Sequence, residues 1–248
     1  MVNNFRYLDM LLSSGKKSIV LNEDFINHEK SDPIIIDTDG IVIDANHHRI
    51  DADGKMQIFK ITARNVTIKN VRFKHGFADE GGAISNEGEA RFEHCTFSFN
   101  EAESRGGAIL NKGTIEMSKC RFNANRSQSG GAIHNLGDIR LEKCLFTDNV
   151  ADVAGVIFNE GNLEIDGGGI RRNLARSCAG AIVNKGDATI KNASFSGNVS
   201  YDVAHAICNF KKITICGCEF KFCDDYLVDC KNATSKLKDN NFIENERV

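Results

Sequence analysis

One phrase recurs along this chain at a nearly fixed distance. Gly106-Gly107-Ala108-Ile109, closed by Asn111 and Gly113, is matched by Gly130-Gly131-Ala132-Ile133 with Asn135 and Gly137. Gly81-Gly82-Ala83-Ile84 with Asn86 and Gly88 is a third copy. Weaker copies follow at Ala154-Gly155-Val156-Ile157, Ala179-Gly180-Ala181-Ile182 and Ala204-His205-Ala206-Ile207. The Asn positions 86, 111, 135, 159, 184 and 209 are separated by 25, 24, 24, 25 and 25 residues. A period in this range means stacked units, none of which buries its apolar face alone.

Each unit holds two apolar runs too short for a helix. The second alternates, as Ile115 and Met117, then Cys120 and Phe122, with Glu116 and Arg121 between. Period-two alternation bounded by Gly and Asn reads as strand with one face buried. Stacking equivalent strands about 4.8 Å apart gives parallel sheets without long crossovers. The expected fold is therefore all-β: a single-stranded parallel β-helix of 24–25-residue coils. Strand twist and the handedness of parallel connections favour right-handed winding. Leucine-rich repeats share the period, but their leucine frame is absent.

Reading down the coils gives columns. Val71, Cys95, Cys120, Cys144, Gly168, Ala193 and Cys218 form a small-residue column, and Phe73, Phe97, Phe122, Phe146, Ile170, Phe195, Phe220 and Phe242 an aromatic one. The Asn column from 86 to 209, and a second at Asn100, Asn125, Asn149, Asn173 and Asn198 with Asn245 at the end, predict ladders of side-chain amides, because buried turn amides must be paired. Gly88, Gly113, Gly137, Gly161 and Gly186 are expected to supply positive φ after each such turn.

The whole chain, 1–248, reads as one β-helix domain, with a cap helix over 4–15 and coils over 17–245. Phe5, Leu8, Leu11 and Leu12 share one helical face, Asn4 is positioned to cap the start, and Gly15 to end it. Arg6 and Asp9 break the apolar run that a signal peptide requires. Ser18-Ile19-Val20-Leu21 is the first expected strand, followed by a polar loop from Asn22 to Asp32. About ten coils are expected, with a looser register after Lys212 and a polar tail from Glu244 to Val248.

Net charge is −3 with both signs interspersed, which argues against a nucleic-acid or anionic-membrane binder. No run is long enough for a membrane-spanning helix. The nine Cys read as reduced, metal-free core fillers: the count is odd, no export signal accompanies them, and no Cys-x-x-Cys pair exists. No cofactor is expected. The seven His are scattered and yield no Ser/His/Asp set. Asp37, Asp39, Asp44, Asp51 and Asp53 are the densest acids, and their turn context accounts for them. The column Arg91, Glu116, Arg140, Glu164 alternates in sign, as register control between coils requires. Five Asn-x-Ser/Thr triplets, at Asn65, Asn125, Asn192, Asn198 and Asn232, matter only on an exported chain. No catalytic, cofactor-binding or metal residue is assigned.

The tandem units, Gly82-Ala83-Ile84 with Phe97-Ser98-Phe99-Asn100 and their successors, resemble repeats of chlamydial polymorphic outer-membrane proteins. The lead-in Ile41-Val42-Ile43-Asp44-Ala45-Asn46, with Asn65-Val66-Thr67-Ile68-Lys69-Asn70, is similar to adhesin-like β-helix proteins of methanogenic archaea. The resemblance spans roughly residues 5 to 245 and implies a right-handed β-helix, surface display and adhesion. No position matches the catalytic residues of pectate-lyase-like, or pectin-lyase-like, β-helices. The expected function is a non-catalytic, adhesin-like module, structural or binding a polysaccharide or another protein. The alternative is a carbohydrate-active enzyme, a polysaccharide lyase or glycoside hydrolase, on the same scaffold. As given, the chain is expected in the cytoplasm, or at the cell surface as part of a longer or differently exported protein.

Overall fold

The computed structural model describes residues 5–222, 226–230 and 232–243. Asn4, Cys223, Asn245 and the tail from Glu244 lie outside these.

Alternation in sequence becomes four short strands per coil. In one turn the chain runs through Glu89–Glu93, Thr96–Ser98, Glu101–Arg105 and Ile109–Asn111 before re-entering the first sheet at Thr114–Ser118. Stacking yields a ten-stranded front sheet, a ten-stranded side sheet, a six-stranded lateral sheet and a nine-stranded back sheet. Every pairing is parallel, and Ile84 over Ile109 over Ile133 shows the register kept coil after coil. The back sheet's nine strands give about nine complete coils where ten were expected.

Three residues per coil turn the corners in left-handed backbone. His94, Lys119 and Lys143 precede Cys95, Cys120 and Cys144, and Phe99, Ala124 and Asp148 precede the second Asn column. The expected positive φ at Gly88, Gly113, Gly137, Gly161 and Gly186 is not found. These glycines answer to proximity: a Cβ on Gly137 would sit 2.1 Å from Gly113 O, and one on Gly161 2.0 Å from Gly137 O. Glycine stacks on glycine because backbone meets backbone there. In the repeat motif the left-handed glycines are instead Gly81, Gly106 and Gly130, which turn the chain from lateral to back sheet.

The interior is the expected stack. Phe73, Phe97, Phe122 and Phe146 lie ring over ring at centroid distances of 4.9, 4.7 and 4.8 Å. Cys95, Cys120 and Cys144 are buried beside them. Both Asn ladders form. Asn86, Asn111, Asn135, Asn159 and Asn184 each donate from Nδ2 to Oδ1 of the Asn one coil on, at 2.7–2.9 Å. Asn100, Asn125, Asn149 and Asn173 do likewise at 2.9–3.0 Å. Ile61 lies under Asn86, so that ladder has no rung below it and Asn86 Oδ1 is buried without a partner.

The helix spans Phe5–Leu12, shorter than the expected 4–15, and ends before Gly15 at φ +74°. Phe5, Leu8 and Leu12 are buried and cover the first coil. The segment expected as a polar loop contains the strand Phe25–Ile26, which pairs with Ile50–Asp51 and buries Phe25. Cys216 and Cys218, two apart in sequence, face opposite ways, although strand alternation alone would put them on one face. Ile215 sits inward in the Ile190 column, Cys216 pairs outward with Lys191, and Gly217 at φ +62° reverses the alternation before Cys218 enters the core.

Candidate functional site

The outer face of the front sheet is the most extended site-like surface. Each strand presents its first, third and fifth side chains to solvent and buries the second and fourth, as Thr114, Glu116 and Ser118 alternate with Ile115 and Met117. Neighbouring coils therefore align polar columns. The first reads Glu89, Thr114, Asp138, Asn162, Asp187 and Lys212, and the next Arg91, Glu116, Arg140, Glu164, Thr189 and Thr214. A groove of about 470 Å³ runs between these columns from Thr114 to Thr214. A second hollow of about 240 Å³ shares Thr114 and Glu116 with it and reaches back to Asn65. Together they cross seven successive strands, from Val66–Lys69 to Lys212–Cys216. Six steps of coil rise make that channel about 29 Å long.

The charges within it are matched across coils. Arg91 Nη2 donates to Glu116 Oε2, and Arg140 Nη1 to Glu164 Oε2 at 3.4 Å. Asn162 Nδ2 donates to Asp138 Oδ1 at 2.7 Å, and Lys211 Nζ lies 3.2 Å from Asp187. The two Arg–Glu pairs are more than half exposed or close to it, at 50–63%, so each stabilises the fold by only a few tenths of a kcal/mol. General-acid catalysis needs a carboxyl shielded from water and cations. Glu116 and Glu164 have neither shield.

Of the dense early acids, Asp44 and Asp51 close local turns as expected, but most of the partners of this group are supplied by the neighbouring coil. Asp44 accepts from Asn46 N, Asn70 Nδ2 and Lys69. Burial alone would raise its pKa, but these donors outweigh it and hold the carboxyl below its ordinary range. Asp39 accepts from Arg64 N, and Asp51 from Asp53 N. Among the described residues no group of three or more His, Cys, Asp or Glu is arranged to hold a metal ion. Asn125 and Asn198 are fully buried rungs, closed to glycosylation in the folded state.

One set escaped the sequence reading. Ser129 Oγ lies 3.2 Å from His134 Nδ1, and His134 Nε2 lies 3.3 Å from Glu160 Oε2. With Nε2 donating to Glu160, Nδ1 accepts from the Ser129 hydroxyl. Burial holds this imidazole below its ordinary pKa, against the opposing pull of Glu160. The ring is 3% exposed and stacks 4.9 Å from Phe158, while Glu160 stands in solvent. A substrate would need the imidazole reachable and the acid withdrawn. The order here is inverted, and the set ties lateral sheet, back sheet and next coil together.

A family model described as "Right handed beta helix region" matches residues 34–168. The chain belongs to that family. The match covers the early coils and the Gly-Gly-Ala-Ile repeats, and it gives the winding its hand. Neither the comparison with curated proteins nor that with solved structures returns a match. In this right-handed β-helix the front groove was half legible: the Arg91–Glu164 column was read, but as register control and solubility rather than as the edge of a groove. The column beginning at Glu89 was missed, although aligning the residues just after Gly88, Gly113 and Gly137 at the repeat period would have found it.

Proposed function

We propose that this β-helix is a non-catalytic binding module whose front groove takes an extended polar polymer, a polysaccharide strand being the class that fits best. The extent of the groove carries the reading: two adjoining hollows, sharing Thr114 and Glu116, together cross seven coils and offer hydrogen-bonding side chains at every step. Its lining holds no aromatic ring, so recognition rests on hydrogen bonds rather than stacking. Its lining carries five carboxylates and three cations, which suits a neutral or mixed-charge chain over a polyanion.

A second reading, a polysaccharide-cleaving enzyme, has one observation in its favour. Glu116 and Glu164 share a column two coils apart, about 10 Å by coil rise. That is close to the separation of about 6.5–9.5 Å used by inverting glycosidases. Arg140 stands between them, where the substrate bond would lie.

The test is a panel of soluble polysaccharides in affinity electrophoresis, paired with a reducing-end assay. Binding without release of reducing ends is expected, with at least tenfold weaker binding for Arg140→Glu. Binding indifferent to Arg140→Glu, or binding by no member of the panel, refutes the groove reading. Release of reducing ends that Glu116→Gln abolishes establishes the enzyme instead.

A further inference from the structure

Outside the main core lies a second, smaller apolar cluster. Left-handed Gly130, Ala154, Ala179 and Ala204 turn each coil back from the lateral sheet over the outer side of the back sheet. This brings Val153, Cys178 and Val203 against Phe158, Val183, Cys208 and Val228. Cys230, the residue after the last back strand, closes the cluster, and its N–H donates to Asn209 O at 2.8 Å. Three thiols far apart in sequence therefore share one small site. Cys208 is buried, whereas Cys178 and Cys230 are half-buried.

These thiols differ from those of the core. Cys95, Cys120, Cys144 and Cys218 each point at main-chain oxygens, such as Ile68 O, Phe92 O, Met117 O and Ile190 O, at 3.5–3.8 Å. They are enclosed, and cysteines stacked in register keep their Cβ atoms near the coil spacing, beyond disulfide range. Cys208 and Cys230 are not stacked in register. Asn209 pairs with Asp229, so the two cysteines are diagonal neighbours, and their sulfurs approach to 3.7 Å. On the other side Cys178 packs against the cluster that contains Cys208, and this neighbouring thiol holds the Cys178 thiol below its ordinary pKa against the effect of burial, while that of Cys208 is pushed up. Cys178 and Cys230 are the half-buried members, which a small disulfide in solvent can reach, and thiolate is the nucleophile in disulfide exchange.

We propose that Cys178, Cys208 and Cys230 form a thiol–disulfide exchange relay that takes up a low-molecular-weight disulfide and clamps the last coil of the solenoid. Cys178 thiolate attacks one sulfur of the small disulfide, forming a mixed disulfide and expelling the first small thiolate, which takes up the proton Cys178 gave up. Cys208 then attacks Cys178 Sγ, releases the second small thiol and leaves a Cys178–Cys208 bond. Cys230 attacks Cys208, which closes Cys208–Cys230 and returns Cys178 to the thiol. Two protein thiols lose two electrons and two protons, and the small disulfide leaves as two thiols. The final bond joins the strand Ile207–Asn209 to the segment following Leu227–Asp229, which is only partly buried.

The test is treatment of the full chain with oxidised glutathione, followed by peptide mapping of every cysteine, with the half-buried and solitary Cys216 as internal reference. Modification of Cys178 at least tenfold faster than Cys216 is expected, then an intramolecular bond containing Cys208. Cys230→Ser should accumulate Cys178–Cys208, and Cys208→Ser should stop at a mixed disulfide on Cys178. In the oxidised wild type, amide exchange of Leu227–Asp229 should slow at least tenfold. Cys230 is half-buried, so its Ser variant keeps the test open if Cys208→Ser fails to fold. Equal rates at Cys178 and Cys216, an intramolecular bond lacking Cys208, or mixed disulfides that never resolve would each overturn the relay.

Discussion

Replacing Asn135 by Leu, beside Asn86 by Leu, measures what the ladder contributes. Asn135 Nδ2 donates to Asn159 Oδ1, Gly137 O and Asn162 O, and its Oδ1 accepts from Asn111 Nδ2 at 2.7 Å. Asn86 makes the equivalent donations, to Asn111 Oδ1, Gly88 O and Thr114 O. Both residues are fully buried, so the apolar gain from leucine and the loss of the main-chain contacts nearly cancel between the two variants. What remains is the count of stranded partners. Asn135→Leu leaves Asn159 Oδ1 without its donor and Asn111 Nδ2 without one acceptor, although that amide keeps Gly113 O and Asp138 O. Asn86→Leu strands Asn111 Oδ1 but removes the one oxygen already unpartnered in the native ladder. The net difference is one to two stranded groups, each costing about 1–3 kcal/mol. Asn135→Leu should therefore lose about 2 kcal/mol more than Asn86→Leu. Guanidinium denaturation gives the totals, and amide exchange near each site separates global loss from fraying of a stacked array. Equal losses, or a larger loss at Asn86, would refute the ladder as a source of stability.

Other outcomes follow from the same geometry. Phe122→Ala, between rings at 4.7 and 4.8 Å, should lower stability by about 3–5 kcal/mol, measured by denaturant unfolding, whereas Phe242→Ala, 42% exposed, should change it far less. Gly137→Ala should cost about 3 kcal/mol because its Cβ meets Gly113 O at 2.1 Å. Gly54→Ala, at φ +69° with nothing within 4 Å, should cost only about 1 kcal/mol in the same assay. His134 has a folded-state pKa below its unfolded value, so between the two the unfolded chain binds more protons and stability rises with pH. That contribution is complete above the unfolded value of about 6.5 and is lost as pH falls below it. His134→Phe, which keeps a ring over Phe158, should flatten this part of the denaturation-midpoint profile.

Much of the architecture was legible because each coil repeats one local solution. Asn111 over Asn135 and Phe97 over Phe122 are side-by-side facts in space that the period already implies. Errors fell where two physical causes leave the same residue. Glycine serves both positive φ and close approach, and sequence alone does not separate the two at Gly113 or Gly106. The Phe25–Ile26 strand was hidden in a polar stretch because its pairing with Ile50–Asp51 is supplied from another coil.

The candidate sites divide the same way. The sign alternation of Arg91, Glu116, Arg140 and Glu164 was visible, because equivalent positions in parallel coils must neighbour one another. The hollow beside it was not, since it depends on how neighbouring surfaces rise around the front sheet. Along the chain, Cys208, Cys216, Cys218, Cys223 and Cys230 look like one group, of which Cys223 lies outside the described residues. In space Gly217 sends Cys216 and Cys218 to opposite sides, while the turn at Ala179 carries Cys178 to Cys208 and Cys230. The sequence by itself determined the period, the winding unit and the columns of the core, because stacking makes those the same statement. Only the tertiary structure decided which side chains meet outside the core, because a left-handed turn redirects the chain by an angle that no residue pattern encodes.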